Sequence, residues 1–212
     1  MNRKFLLGLL CAACLCSGLQ AQRRLTEATL VYKIYFDEAD TIAGSSVHLQ
    51  EAQSISYLKG ANSRTDLVTQ AGKQSTLFIS KTAQVVLLKE YGGQRYLTRL
   101  SLQQWEQSNK KYREATIQFF SDTLRIAGYR CNKAVATMAD GSTFSIWYTG
   151  ELVPLNKEFL PMAGALPGLI LSFETLLGER KVRYTIDQLL FNPVPQVLFD
   201  IPESGYRLLE AQ

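Results

Sequence analysis

Lys133-Ala134-Val135-Ala136-Thr137-Met138-Ala139-Asp140-Gly141-Ser142-Thr143-Phe144-Ser145-Ile146-Trp147-Tyr148-Thr149 reads as two β-strands joined by a tight turn. Asp140-Gly141 favours the turn whose twist matches that of paired strands. Beyond it the side chains alternate. Phe144, Ile146 and Tyr148 fall on one face, and Thr143, Ser145 and Trp147 on the other, as the two-residue period of a strand requires. One face of this hairpin is apolar and must be covered.

The same pattern extends in both directions. Upstream, Thr29 to Phe36, Ile55 to Lys59, Arg64 to Val68, Thr76 to Ser80, Gln84 to Lys89 and Arg95 to Leu100 are short runs rich in β-branched and aromatic residues, the composition that fits a pleated surface. Gly60-Ala61-Asn62 and Gly92-Gly93 are turn signals between them. Thr116 to Phe120 and Thr123 to Ala127 precede the hairpin. Downstream, Leu169 to Thr175 and Lys181 to Gln188 form a further hairpin around Gly178, with Val182, Tyr184 and Ile186 sharing a face. Val197 to Ile201 and Tyr206 to Leu209 close the chain. One segment departs from the pattern. Ser101 with Gln104 is a capping-box signature, and Leu102, Trp105, Asn109 and Tyr112 share a helical face, so a helix is predicted over Leu102 to Lys111. A Pro-containing loop covers Val153 to Gly168. The fold class predicted is mainly β: a curved antiparallel sheet, or incomplete β-barrel, with a short helix and a lid-like loop. A sheet of so many strands must curl or close.

The chain has 212 residues, 46% of them apolar and 20% charged, which suits one globular domain rather than disorder. The formal charge is +4, two units of it from Arg3 and Lys4. That excess is too small to point to nucleic acid, and no basic run interleaved with aromatics occurs. The N-terminus reads as a secretory signal: basic Asn2-Arg3-Lys4, an apolar stretch from Phe5 to Leu19, then Gln20-Ala21-Gln22. The apolar stretch is shorter than the roughly 20 residues a spanning helix needs, and no second run of that kind follows, so no transmembrane span is expected. Cleavage after Ala21 gives a signal peptide at 1–21 and a single β-rich domain at 22–212, exported to the periplasm or associated with the outer membrane. A lipoprotein reading competes, because Ala12-Ala13-Cys14 is part of a lipidation site; Cys11 stands where that site usually has Leu. Cleavage after Ala21 leaves Cys131 as the only cysteine of the exported chain.

Few residues offer chemistry. His48 is the only histidine and follows Gly44-Ser45-Ser46 in a polar stretch, where a surface loop is the plain reading. Cys131 sits at the start of a strand between Arg130 and Asn132, where a buried thiol is expected. Asp37-Glu38-Ala39-Asp40 lacks the spacing and glycine of a calcium loop. Neither a phosphate-binding Gly-rich loop nor a Cys-x-x-Cys pair nor a nucleophile elbow occurs. The expectation is a non-enzyme without catalytic residues, metal or cofactor.

One loop carries a resemblance. Ala165-Leu166-Pro167-Gly168-Leu169-Ile170 is similar to the motif that names the GLPGLI family of exported Bacteroidetes proteins, with Ala165 in place of the first glycine. Ile126-Ala127-Gly128-Tyr129-Arg130-Cys131-Asn132-Lys133-Ala134 and Ser145-Ile146-Trp147-Tyr148-Thr149 also resemble that family, in order and in distance from the loop. Tyr57-Leu58-Lys59-Gly60 with Ser63-Arg64-Thr65-Asp66 resembles the start of related exported domains, and Leu198-Phe199-Asp200-Ile201-Pro202 with Tyr206 their end. The resemblance covers most of 22–212. It implies a fold of the LolA-like lipoprotein-carrier type, an incomplete barrel with a helical lid over an apolar cavity. It carries over no catalytic set. Pro167-Gly168 can form a type II turn without the first glycine.

The function expected is the binding or carriage of an apolar ligand, a lipid or a lipoprotein acyl chain, in the half-barrel. Leu166, Leu169 and Ile170 are expected beside the mouth, Phe144 and Tyr148 on the sheet, and Arg64 reaching across to a head group or a lid carbonyl. A structural or interaction module of the envelope, its sheet face filled by its own aromatics and its partner another envelope protein, is the alternative. A hydrolase using Cys131 or His48 beside a carboxylate is the third. Oligomeric state is not legible in the sequence.

Overall fold

The computed structural model describes residues 22–36, 52–160, 162–178 and 180–210. The signal segment, the acidic run at 37–40 and His48 lie outside the described residues. In chain order the strands are β1 (Arg23–Leu25), β2 (Glu27–Phe36), β3 (Gln53–Lys59), β4 (Asn62–Thr69), β5 (Gly72–Ile79), β6 (Gln84–Tyr91) and β7 (Gln94–Ser101). Two helical pieces follow, α1 (Leu102–Ser108) and α2 (Lys110–Arg113). Then come β8 (Thr116–Ile126), β9 (Tyr129–Thr137), β10 (Thr143–Thr149), β11 (Leu152–Pro154), β12 (Leu169–Leu177), β13 (Arg180–Leu190) and β14 (Arg207–Leu209).

The protein is mainly β, and twelve strands form one curved, unclosed sheet in the order β14-β7-β6-β5-β4-β3-β2-β13-β12-β10-β9-β8. Consecutive strands pair as antiparallel hairpins through most of it, which short turns allow. Two pairings are parallel: β14 on β7, and β1 on β11 in a separate two-stranded piece. Several boundaries differ from the sequence reading. Thr116–Ile126 is one long strand with a bulge between Phe119 and Thr123 rather than two strands, and Ala127 lies in the turn after it. Gln196–Phe199 is a 3-10 turn rather than a strand. The helix breaks at Asn109, whose side-chain amide donates to the Trp105 carbonyl at 2.9 Å and so competes with the backbone ladder.

The deciding hairpin forms, with a different turn. Thr137 pairs with Thr143, and of Asp140 and Gly141 only Gly141 takes positive φ, 83°. The amide of Gly141 donates to Met138 O at 3.0 Å, and Asp140 Oδ1 accepts from Ser142 N at 2.8 Å. This is the longer hairpin loop in which one residue only is left-handed. Phe144, Ile146 and Tyr148 are buried on the concave face.

That concave face is covered unevenly. Over β2, β9, β10, β12 and β13 it packs against the segment that follows β10: Leu152, Phe159, Leu160, Met162, Ala163 and Leu166 are buried in one cluster with Leu30, Tyr32, Ala134, Ile146, Phe173 and Ile186. Tyr32 of β2 bonds across the core to the start of β12, its hydroxyl donating to Ile170 O at 2.8 Å. On the convex side a smaller cluster of Leu77, Val86, Leu88 and Leu97 is capped by Ile201 and Tyr206 of the C-terminal segment. Over the concave face of β3 to β6 the plug makes contact through Phe159 and Asn156 and leaves a hollow beside them.

Candidate functional site: a roofed groove on the concave face

The inner face of β3, β4 and β5 is built from three rungs. Ser54 pairs with Leu67 and Leu67 with Gln74; Ser56 with Thr65 and Thr65 with Thr76; Leu58 with Ser63 and Ser63 with Phe78. Alternation sends Tyr57, Arg64 and Leu77 to the opposite face. These rungs form the floor of a hollow of about 230 Å³, walled by Phe173, Thr175 and Tyr184 on one side and Val85 on the other. Burial pushes the Tyr184 hydroxyl up to about 12.

The helical pieces make the roof. Ser101 and Gln104 form the capping box: Ser101 Oγ accepts from Gln104 N at 3.2 Å, and Gln104 Oε1 accepts from Ser101 N at 2.9 Å. The cap fixes where α1 leaves β7, and Trp105 and Tyr112 then face the sheet. Both line the inner hollow and an outer one of about 340 Å³, together with Glu158 and Leu160. The outer hollow adds Asn109, Arg113, Lys157, Met162, Gly164 and Ala165. Its volume lies within the range usual for ligand pockets, roughly 300–1,000 Å³. A third hollow of about 180 Å³ opens beyond Tyr112 and Leu176, against Phe144, Met138 and Asp140. Tyr112 borders all three, its hydroxyl 3.4 Å from Thr175 Oγ1.

Polar bonds tie roof, plug and floor together. Thr65 Oγ1 donates to Phe159 O at 3.1 Å, and Asn156 Nδ2 to Ala61 O at 2.7 Å. Lys157 Nζ donates to Leu166 O at 2.6 Å. At the rim Arg113 meets Glu158 at 3.0 Å and Glu106 at 3.6 Å. These exposed pairs contribute little to stability; Lys157, the other charged residue of the outer hollow, is held by the Leu166 carbonyl.

The predicted site residues are distributed differently. Leu166, at the end of the plug, and Leu169 and Ile170, at the start of β12, are almost fully buried in the large core cluster and line none of these three hollows. Tyr148 is buried in the same core with Phe119 edge-on at 5.9 Å. Phe144 alone of the predicted apolar set borders a hollow, the third one. Arg64 points from the convex face. Its guanidinium donates to Asp66 Oδ1 at 2.7 Å, to Leu198 O at 2.9 Å and to Ser75 Oγ at 3.3 Å. It holds the C-terminal segment and does not reach the groove. The segment read as a lid is a buried plug, and the helix is the roof.

Ser54, Ser63, Gln74, Thr76, Trp105 and Tyr112 went unread as site residues. The signal was present: small hydroxyl residues recur at the inward positions of three consecutive strands, where a filled core would carry larger apolar ones. Cys131 is buried, its thiol pushed up to about 11 by that burial. Among the described residues no cluster of three or more His, Cys, Asp or Glu could hold a metal ion, and no helix is long and apolar enough to cross a membrane.

No family model and no curated protein matches the chain. Solved structures do. PNGF-II in a P21 crystal is similar with a TM-score of 0.53 and 14% identity over 87% of this chain. PNGF-II in a C2 crystal gives 0.50 and 15% over the same share. The chain spans only 31% and 30% of those two chains. An uncharacterised conserved protein from Thermus thermophilus matches at 0.47 and 9% identity, over 87% of this chain and 90% of that one. At such identities the likeness is one of fold alone.

Proposed function

We propose that this protein is an exported, non-catalytic binding module of the GLPGLI type that holds a small, partly apolar ligand between the concave face of β3 to β6 and the α1–α2 roof. The observation that carries this reading is the pair of hollows sharing Trp105, Tyr112, Glu158 and Leu160. The plug fills the rest of the concavity with protein side chains and leaves this part open. A lipid or an acyl-bearing molecule fits the aromatic roof and walls, and desolvating it there supplies the driving force. On this reading the ligand contacts Trp105, Tyr112, Phe159, Leu160, Phe173 and Tyr184, which line the inner hollow.

The test uses the protein's two tryptophans. Trp105 lines the groove, whereas Trp147 lies on the other face of β10, near Lys133. In a Trp147→Phe variant, emission reports on the groove alone. Addition of the lipid fraction from the source envelope should shift and quench that emission, and native mass spectrometry should show the added mass. Unchanged emission together with a mass equal to the bare chain would refute the reading.

A further inference from the structure

We propose that the ligand is a neutral amphiphile whose hydroxyl or amide groups bond the floor of the inner hollow while its apolar part lies under the roof; this rests on the binding reading above. The floor is the ground for it. Ser54 is 3% exposed and Ser63 2% exposed, both line the inner hollow, and neither side chain hydrogen-bonds another described residue. Gln74 and Thr76 line the same floor, also without a side-chain partner among the described residues. Among the described residues no side-chain polar atom is wholly enclosed without a partner, so these groups meet the hollow itself. By contrast Ser56 and Thr65, in the rung between them, bond each other at 3.0 Å and Thr65 bonds Phe159 O.

Three classes of ligand fare differently against such a surface. In solution, water bonds hydroxyls that face a polar hollow. A bare hydrocarbon displaces that water and leaves the hydroxyls without partners, a loss that apolar burial must first overcome. A carboxylate, phosphate or ammonium head finds no charged side chain on the floor itself: of the charged residues that line the two hollows, Glu158 pairs with Arg113 at the rim and the Lys157 ammonium donates to Leu166 O, and an unpaired buried charge is unfavourable. A neutral head with several hydroxyls or amides replaces the water bond for bond. Its apolar remainder then meets Trp105, Tyr112, Leu160 and Leu176.

The experiment titrates the Trp147→Phe protein with octyl glucoside, octanoate and octyl phosphate, which share one chain and differ in head, each below its micellar concentration. Trp105 emission and calorimetry are the readouts. Octyl glucoside should bind at least about tenfold more tightly than the two anions. The Ser63→Ala, Thr76→Val double variant should lose that preference and bind all three alike, with an unchanged thermal midpoint. If the double variant does not fold, Gln74→Leu carries the same test from the next rung. Equal or tighter binding of either anion, or a preference that survives the substitutions, overturns the proposal while leaving a binding groove in place. No response to any of the three overturns the binding reading itself.

Discussion

Arg64 shows how a single side chain can be legible in type and not in role. Its position on a strand was readable, and so was its capacity to bond a carbonyl. The carbonyl it bonds belongs to Leu198 on the convex face, which alternation alone does not name. With the Arg64 side chain 12% and the Asp66 side chain 8% exposed, Arg64→Ala leaves a buried carboxylate with only Lys73, at 3.2 Å, beside it. The expected loss is about 3 kcal/mol in urea unfolding, with the Trp105 response to ligand intact in the folded protein. Arg64→Lys should recover little, since one ammonium cannot span three acceptors in a fixed fork. Cys131 is inert for a reason that can be tested. Burial holds its thiol protonated at neutral pH, near a value of 11, and the thiolate is the reactive form. Iodoacetamide at pH 8 should leave it unlabelled in the folded protein and label it fully in urea; rapid labelling without denaturant would show that β9 opens.

At the scale of the element, Gly168 matters for a reason other than the turn the sequence implied. It is absent from the residues with positive φ, so it does not provide the left-handed position of a type II turn. A Cβ there would lie 1.9 Å from Thr149 O and 2.8 Å from Thr149 C. The glycine lets the start of β12 press against the end of β10 at the place where their register shifts, between Trp147 and Tyr148. Gly168→Ala should cost about 2–3 kcal/mol by overpacking. Gly164→Ala, where a Cβ meets nothing within 4 Å, should change stability by only a few tenths. Thermal or urea unfolding of the two variants side by side checks this. The helix was legible because its cap and its apolar face are local. Its break at Asn109 depends on a side-chain bond within the same turn. Its function as a roof depends on what lies across from Trp105 and Tyr112.

For the whole molecule, one cluster ties β2 and β3 to the segment after β13 and responds to pH. Lys59 donates to Glu27 at 2.5 Å and to Val194 O at 2.6 Å, and Val194 N donates to Glu27 at 2.9 Å. The Lys59 bond, with that of Val194, holds the Glu27 carboxyl below its ordinary value of 4.5. A carboxyl depressed on folding contributes stability above its unfolded pKa and loses it as pH falls through the folded one. Stability should therefore decline below about pH 4.5, and less steeply in Glu27→Gln, as read from the urea midpoint against pH. The sequence by itself determined the strands, their alternation, the cap of α1 and the mainly-β curved sheet, because these follow from a two-residue period, turn chemistry and hydrogen bonds between near neighbours. The tertiary structure alone decided which segment fills the concavity and which roofs it. Leu152 to Leu166 and Leu102 to Arg113 are both partly apolar connections, and nothing local distinguishes a plug from a roof. The difference lies in contacts between residues far apart in the chain: Thr65 with Phe159 and Ala61 with Asn156 for the plug, Tyr112 with Thr175 for the roof. The same contacts leave the hydroxyl floor of β3 to β5 facing the inner hollow.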